Sequence, residues 1–300
     1  MGHRKTVDFT LSVPWGIIAG RTYGEENDVP VLCVHGRTDN LESFSPLIPL
    51  LPHNHYYVCI DLPGHGKSSH PHKGYIVDFV WYVFSVKRII NHFRWSKIYY
   101  LGHSFGGQIG YVLTAFYPEL VLKLVVIDSL IYHHLPPANT SRALRELLFD
   151  AHFKLESRSS IDQAPTYTID EFVQKMIETR KTEVTSEHIR PIAERNLVKV
   201  NEFKYRYGND QRTKILNGLF FTFDQIENIA NEICCPTMLI LGNKSNVTKP
   251  HDRLTHSPLH NNSNATFHII EGDHDLHLVH TPQVARLVST FLTKGTLSKL

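Results

Sequence analysis

Residues 29–36, VPVLCVHG, form a continuous apolar run that ends in glycine. It lacks the alternation of a strand with one wet face, so a strand here must be covered on both faces. The same holds for HYYVCIDLPGHG (55–66), KIYYLGHS (97–104), VLKLVVIDS (121–129), CPTMLILGN (235–243) and ATFHIIEGDHD (265–275). Between them lie stretches long enough for helices: YIVDFVWYVFSVKRIINHF (75–93), FGGQIGYVLTAFYPE (105–119) and PQVARLVSTFL (282–292). Doubly covered strands alternating with helices require a mostly parallel sheet with helices packed on it, an α/β fold. Near the N-terminus, VDFTLSVPWGIIAGRTYG alternates enough for an antiparallel hairpin at the sheet edge.

The rhythm stops between residues 132 and 230, where no strand is convincing. SRALRELLFDAHFKL, TIDEFVQKMIETR and SEHIRPIAERNLVKV read as helices instead. Residues 1–131 and 231–300 are therefore expected to form the core, with 132–230 a helical cap inserted between two of its strands. His133-His134 and Pro136-Pro137 mark the start of that insertion. The aromatic run Phe79, Trp81, Tyr82 and Phe84 is expected in the core.

Composition narrows the partners. The chain of 300 residues is 42% hydrophobic, enough for a sizeable core. Its 31 basic and 29 acidic residues leave a formal charge of +2, which gives no sign of a nucleic acid or an anionic membrane as partner. The 20 histidines are scattered without metal-ligand spacing, so neither a metal nor another cofactor is expected. Cys33 and Cys59 lie in strand runs and Cys234-Cys235 just before another, a pattern of buried reduced thiols and a reducing compartment. No apolar run approaches the roughly 20 residues of a membrane span, and MGHRKTVDF is not a secretory signal. Met1 to Thr6 fit the loose N-myristoylation pattern, which has too few fixed positions to carry an assignment. Ser298-Lys299-Leu300 fits the peroxisomal address, so an import receptor is an expected partner and the peroxisome the expected location, with the cytoplasm second.

Three strand ends carry the candidate chemistry. Gly102-His103-Ser104-Phe105-Gly106 falls between a strand and a helix, the context a G-x-S-x-G nucleophile elbow needs. The turn is sharp, its glycines leave room for neighbouring strands, and the serine is pushed out above the sheet. The N–H of Phe105 opens a helix, where backbone dipoles favour an anion. His35-Gly36-Arg37 ends the first buried strand, and the N–H of Arg37 is expected to face the same oxyanion as that of Phe105. One such donor is worth roughly 3–4 kcal/mol. His35, Gly36 and His103 flank these donors and are expected to line the substrate. The base is expected to be His274, immediately after the last strand, whereas His277 and His280 read as a following helical turn.

Val34-His35-Gly36, Asp61-Leu62-Pro63-Gly64-His65-Gly66-Lys67-Ser68, Gly102 to Gly107 and Gly272-Asp273-His274 resemble the α/β-hydrolase superfamily. More narrowly, VPWG, VLCVHGRTDN, LIPLLP, YYVCIDLPGHGKSS and LGHSFGGQIG resemble the serine hydrolase-like (kraken-type) proteins. The resemblance covers about residues 10–130, weakens through the insertion and resumes near His274. It implies a Ser-His-acid triad that forms an acyl-enzyme from an ester or thioester. The family's usual acid follows the strand after the insertion, but Ser245 occupies that place in GNKSNV. Some members carry it after the strand before the insertion, where Asp128 lies 24 residues beyond Ser104. Asp128 is therefore the expected acid, its other possible role being to cap the next turn. Asp252, Asp273 and Asp275 are the rivals. A serine at the elbow argues against the epoxide hydrolase and haloalkane dehalogenase relatives, which use a carboxylate there. A peroxisomal address would suggest fatty acyl esters or acyl-CoA thioesters. C–C bond hydrolysis by the same triad, or a decayed hydrolase that binds a lipophilic ligand, are the alternatives.

Overall fold

A computed structural model describes residues 4–131, 140–158, 164–215, 221–250 and 257–294. The chain opens with the hairpin β1 (Thr6–Val13) and β2 (Gly16–Tyr23). There follow β3 (Val29–Val34), β4 (His55–Ile60), α1 (Phe79–His92), β5 (Ile98–His103), α2 (Phe105–Phe116) and β6 (Val121–Ile127). The insertion contains α3 (Thr140–Ala143), α4 (Ala151–Ser157), β7 (Thr166–Tyr167), α5 (Ile169–Arg180), α6 (Ser186–Asn196), β8 (Leu197–Lys199), β9 (Tyr205–Tyr207) and α7 (Phe223–Asn231). The chain then returns through β10 (Thr237–Gly242), β11 (Ala265–Ile270), α8 (Leu276–Val279) and α9 (Thr281–Thr293).

Eight strands form one sheet in the order β1-β2-β4-β3-β5-β6-β10-β11. The hairpin and the β2–β4 pair are antiparallel, and the rest is parallel. The unbroken apolar runs follow from the two-layer core. Leu32, Val34, Tyr100 and Val126 pack on one face with α1, α2 and α7, while Val31, Cys33, Leu101 and Val125 pack on the other with Phe44, Ile48 and α9. The parallel order brings the C-terminal ends of β3, β5, β6, β10 and β11 to one edge, where ligands bind in such sheets.

The insertion departs from expectation. It holds a three-stranded antiparallel sheet, β7-β9-β8, beside its helices. Strands of two or three residues are too short to show a period, and LVK continues directly from α6 as β8. A separate core of Phe172, Val173, Val184, Ile189, Ile192 and Ala193 closes on Leu278. α7 packs instead into the main core through Ile226 and Ala230, so the last part of residues 132–230 belongs with the sheet. Two smaller expectations also fail. Phe79 and Tyr82 are buried but Phe84 is exposed, because α1 begins only at Phe79, capped by Asp78, and turns residue 84 outward. Cys33, Cys59 and Cys235 are buried and free, whereas Cys234 is exposed. No described helix is long and apolar enough to cross a membrane. Residues 132–139, with His133, His134, Pro136 and Pro137, lie outside the described residues, as do Asp252, Met1 to His3 and Ser298 to Leu300.

Candidate active site

Ser104 stands between β5 and α2 at φ 50°, a left-handed conformation rare for a residue with a Cβ. Such backbone costs about 1–3 kcal/mol and persists only where the surroundings impose it. Here they do: a Cβ on Gly102 would lie 2.5 Å from Gly106 O, and one on Gly106 would lie 2.0 Å from Val34 O. The two glycines let α2 press onto β3 and β5, and the turn between them lifts Ser104 off the sheet.

His274 is carried by the loop from β11 into α8. Its Nε2 lies 2.9 Å from Ser104 Oγ and its Nδ1 2.6 Å from Asp128 Oδ2. Asp128 sits at the end of β6, fully buried and at φ 45°. Burial works against a charged His274, but the hydrogen bond and charge of Asp128 outweigh it, so the imidazole pKa is raised.

Ser245 has a place in this arrangement that residue type alone did not reveal. Its Oγ donates to Asp128 Oδ2 at 2.6 Å. Thr248 Oγ1 donates to Oδ1 at 3.1 Å, and so does Gly242 N at 2.9 Å. With His274 Nδ1, four donors converge on one carboxylate and fix its orientation. The only signal available in the sequence was that Ser245 stands where an acid was expected. The rival acids are committed elsewhere. Asp273 accepts from Glu183 N, and Asp275 accepts from Arg180 and Thr182.

The loop after β3 lies against the serine, since a Cβ on Gly36 would be 3.3 Å from Ser104 Cβ and 2.9 Å from His103 Nδ1. Arg37 and Phe105 thus flank Ser104 from two strand ends. Of the residues expected to line substrate, Gly36 borders the serine, but the His35 and His103 rings are buried and bonded inward. His35 Nδ1 contacts Gly36 O at 2.7 Å and Nε2 accepts from Leu62 N at 2.9 Å, so the ring braces two loops. His103 Nε2 donates to His274 O at 3.1 Å and supports the histidine loop from below. Burial, reinforced by neighbouring histidines, lowers the pKa of both rings well below the usual value and keeps them neutral.

A buried ion cluster joins the insertion to this site. Arg180, at the C-terminal end of α5, donates to Asp39 and, at 2.8 Å, to Asp275 beside His274. Burial, offset in part by Arg180 and reinforced by Asp275, raises the Asp39 pKa to about 6. Burial opposes ionisation of Asp275 too, but the Arg180 charge prevails and its pKa is lowered. A second tie runs from Arg195 of α6 to both oxygens of Asp61, at 3.1 and 2.9 Å. Sequence reading missed both arginines. A cavity of about 650 Å³ opens within the insertion. Its wall includes Thr38, the residue after Arg37, and Arg180, but neither Ser104 nor His274.

The chain is 30% identical to a serine hydrolase-like protein of Danio rerio over 297 residues, 96% of this chain and 89% of that one. A serine hydrolase-like protein of Homo sapiens is 43% identical over 122 residues, 41% of this chain and 60% of the human one. Among solved structures, a hypothetical protein of Pseudomonas aeruginosa superposes with a TM-score of 0.83 at 26% identity, over 95% of this chain and 99% of that one. The profile of the alpha/beta hydrolase fold matches residues 29–281. That match runs from β3 to the first residue of α9, across every strand tip that carries the serine, the histidine and the aspartate, and so the chain belongs to the α/β-hydrolase family.

Proposed function

We propose that the protein is a serine hydrolase that cleaves an ester or thioester of a small or lipid-like acyl group through an acyl-enzyme. The observation that carries this reading is the unbroken line from Ser104 Oγ through the His274 ring to Asp128, at 2.9 and 2.6 Å. Neutral His274 takes the proton of Ser104 at Nε2 as Oγ attacks the carbonyl carbon. Asp128 keeps the remaining proton on Nδ1 and stabilises the imidazolium. The tetrahedral oxyanion faces the backbone N–H groups of Arg37 and Phe105. The C–O or C–S bond then breaks, and the leaving group departs with the proton from Nε2. Water, deprotonated by the same ring, attacks the acyl-enzyme and returns Ser104 to its free form. The insertion acts as a cap over these strand ends. The intact serine, histidine and buried acid also count against a decayed fold that only binds ligand.

A fluorophosphonate probe tests the reading. The protein is expected to be labelled once, and Ser104→Ala not at all. Labelling that survives Ser104→Ala, or none in the intact protein, refutes it. A panel of p-nitrophenyl esters and acyl-CoA thioesters then sorts the substrate class.

A further inference from the structure

The cavity within the insertion combines two kinds of wall. Tyr167, Phe172, Met176 and Tyr207 give it an apolar interior. Lys175, Lys214 and Arg158 give it three cations, although the chain as a whole carries a formal charge of only +2. Among the described residues, no carboxylate pairs with any of the three. Asp210, the acid in the wall, is already engaged by Arg212 at 2.7 Å, and Arg180 is paired with Asp39 and Asp275.

The two ammonium groups are held by the cavity's own aromatic residues. Lys175 Nζ donates to Tyr167 Oη at 2.8 Å and lies 4.7 Å from the centre of that ring. Lys214 Nζ lies 5.6 Å from the centre of the Tyr207 ring and donates to Gln211 Oε1 at 2.6 Å. These contacts anchor both ammonium groups on residues of the wall. Burial, and then the Lys175 charge, lower the Lys214 pKa, a repulsion that an anion between them would relieve. Through Thr38 the same wall reaches the residue after Arg37.

We propose that this cavity is a substrate subsite for an anionic group, a carboxylate or phosphate carried by the ester or thioester away from the bond that is cleaved. Tyr167, Phe172, Met176 and Tyr207 receive the apolar part of the substrate, and Lys175, Lys214 and Arg158 receive the charge. The proposal rests on the hydrolase reading above and names its substrate class.

The test compares matched pairs on the full chain. For the carboxylate source the pair is the mono-p-nitrophenyl ester of suberic acid and the same ester with its far carboxyl methylated. For the phosphate source it is decanoyl-CoA and decanoyl-pantetheine, which lacks the nucleotide phosphates. The readout is the ratio of kcat/KM within a pair, so a general loss of activity cancels. An ion pair at an accessible site is worth about 1.5- to 5-fold per cation, so one pair should favour its anionic member by about 10-fold. That preference should shrink as salt rises. The triple variant Lys175→Gln, Lys214→Gln, Arg158→Gln should bring the ratio near one, and Lys214→Arg should retain it. Ratios near one in both pairs for the intact protein overturn the proposal, and a preference that survives the triple variant overturns the assignment to this cavity. Calorimetric titration of Ser104→Ala with the suberate half-ester and its methylated partner reads the subsite even if Ser104 proves not to be the nucleophile. Equal affinities there exclude the carboxylate source and, together with a ratio near one in the CoA pair, overturn the proposal.

Discussion

In the proposed triad Asp128 supplies the charge and Ser245 holds it in place. Asp128 ends β6, and the Ser245 hydroxyl just past β10 donates to it. Asp128→Asn removes the charge that favours imidazolium and is expected to lower kcat by about 10⁴-fold, as measured by ester hydrolysis. Ser245→Asp alone places a second carboxylate where a hydroxyl now approaches Asp128 Oδ2 at 2.6 Å. Two carboxylates that close share a proton, so this variant should also lose most activity. Combined, the two substitutions put the charge at position 245 and an amide donor at 128, and should recover at least about tenfold over Asp128→Asn if both strand tips face the same ring nitrogen. A double variant no better than Asp128→Asn would show that only β6 can serve. The pH profile follows from the same pair. His274 must be neutral to accept the Ser104 proton, and Asp128 raises its pKa. The acid limb of kcat/KM should therefore lie above the ordinary imidazole value of about 6.5. In Asp128→Asn it should shift to lower pH, because only the weaker Asp275 charge then opposes burial.

α5 and α6 are legible as helices in the sequence, yet their attachment to the core is not. Thr168 and Glu171 form a capping box at the start of α5, a local signal open to any helix. Arg180 at the other end bonds acids 141 and 95 residues away, and no local pattern encodes such pairing. The consequence is testable. Arg180→Met leaves Asp39 and Asp275 buried without their cation and should destabilise the protein by about 3–5 kcal/mol at neutral pH in urea unfolding. The pH dependence has a definite sign. Asp39 already has its pKa raised to about 6, and losing Arg180 removes what holds it down. A carboxyl that binds its proton more tightly folded than unfolded adds stability at low pH and loses it as pH rises through the folded pKa. The deficit of Arg180→Met relative to the parent should thus be largest above pH about 7 and shrink toward pH about 5. A deficit constant across that range would mean Asp39 stays charged. Because Asp275 adjoins His274, kcat should fall along with stability.

At the scale of the whole molecule, the middle of the sheet was readable because strands buried on both faces cannot hide their composition, whereas β11, read the same way, is a half-exposed edge strand. The strands of the insertion were not readable, being too short for any period. Side chains that join distant segments were equally silent, and Lys123 is the clearest case. A lysine inside the run VLKLVVI looks like an interruption of the core. Instead its ammonium donates to the carbonyls of Phe291, Leu292 and Lys294 at 3.0, 2.7 and 2.8 Å. It closes the C-terminal end of α9, where carbonyls lack helical partners and the dipole favours a cation. It also lies 4.9 Å from the centre of the Tyr99 ring. One β6 residue thus fastens the last helix to the middle of the sheet. Lys123→Met keeps the stem but loses these charge-assisted bonds, and should cost about 2–4 kcal/mol in thermal or urea unfolding. Its position separates stability from chemistry. Lys123 precedes Asp128 by five residues along β6, a distance of about 16 Å at the rise of an extended strand. Activity per folded molecule should therefore stay near the parent's at low temperature while the midpoint falls. If kcat falls in the fully folded variant, the docking of α9 also governs the strand tips that carry Asp128 and His274, and the two ends of the sheet are coupled.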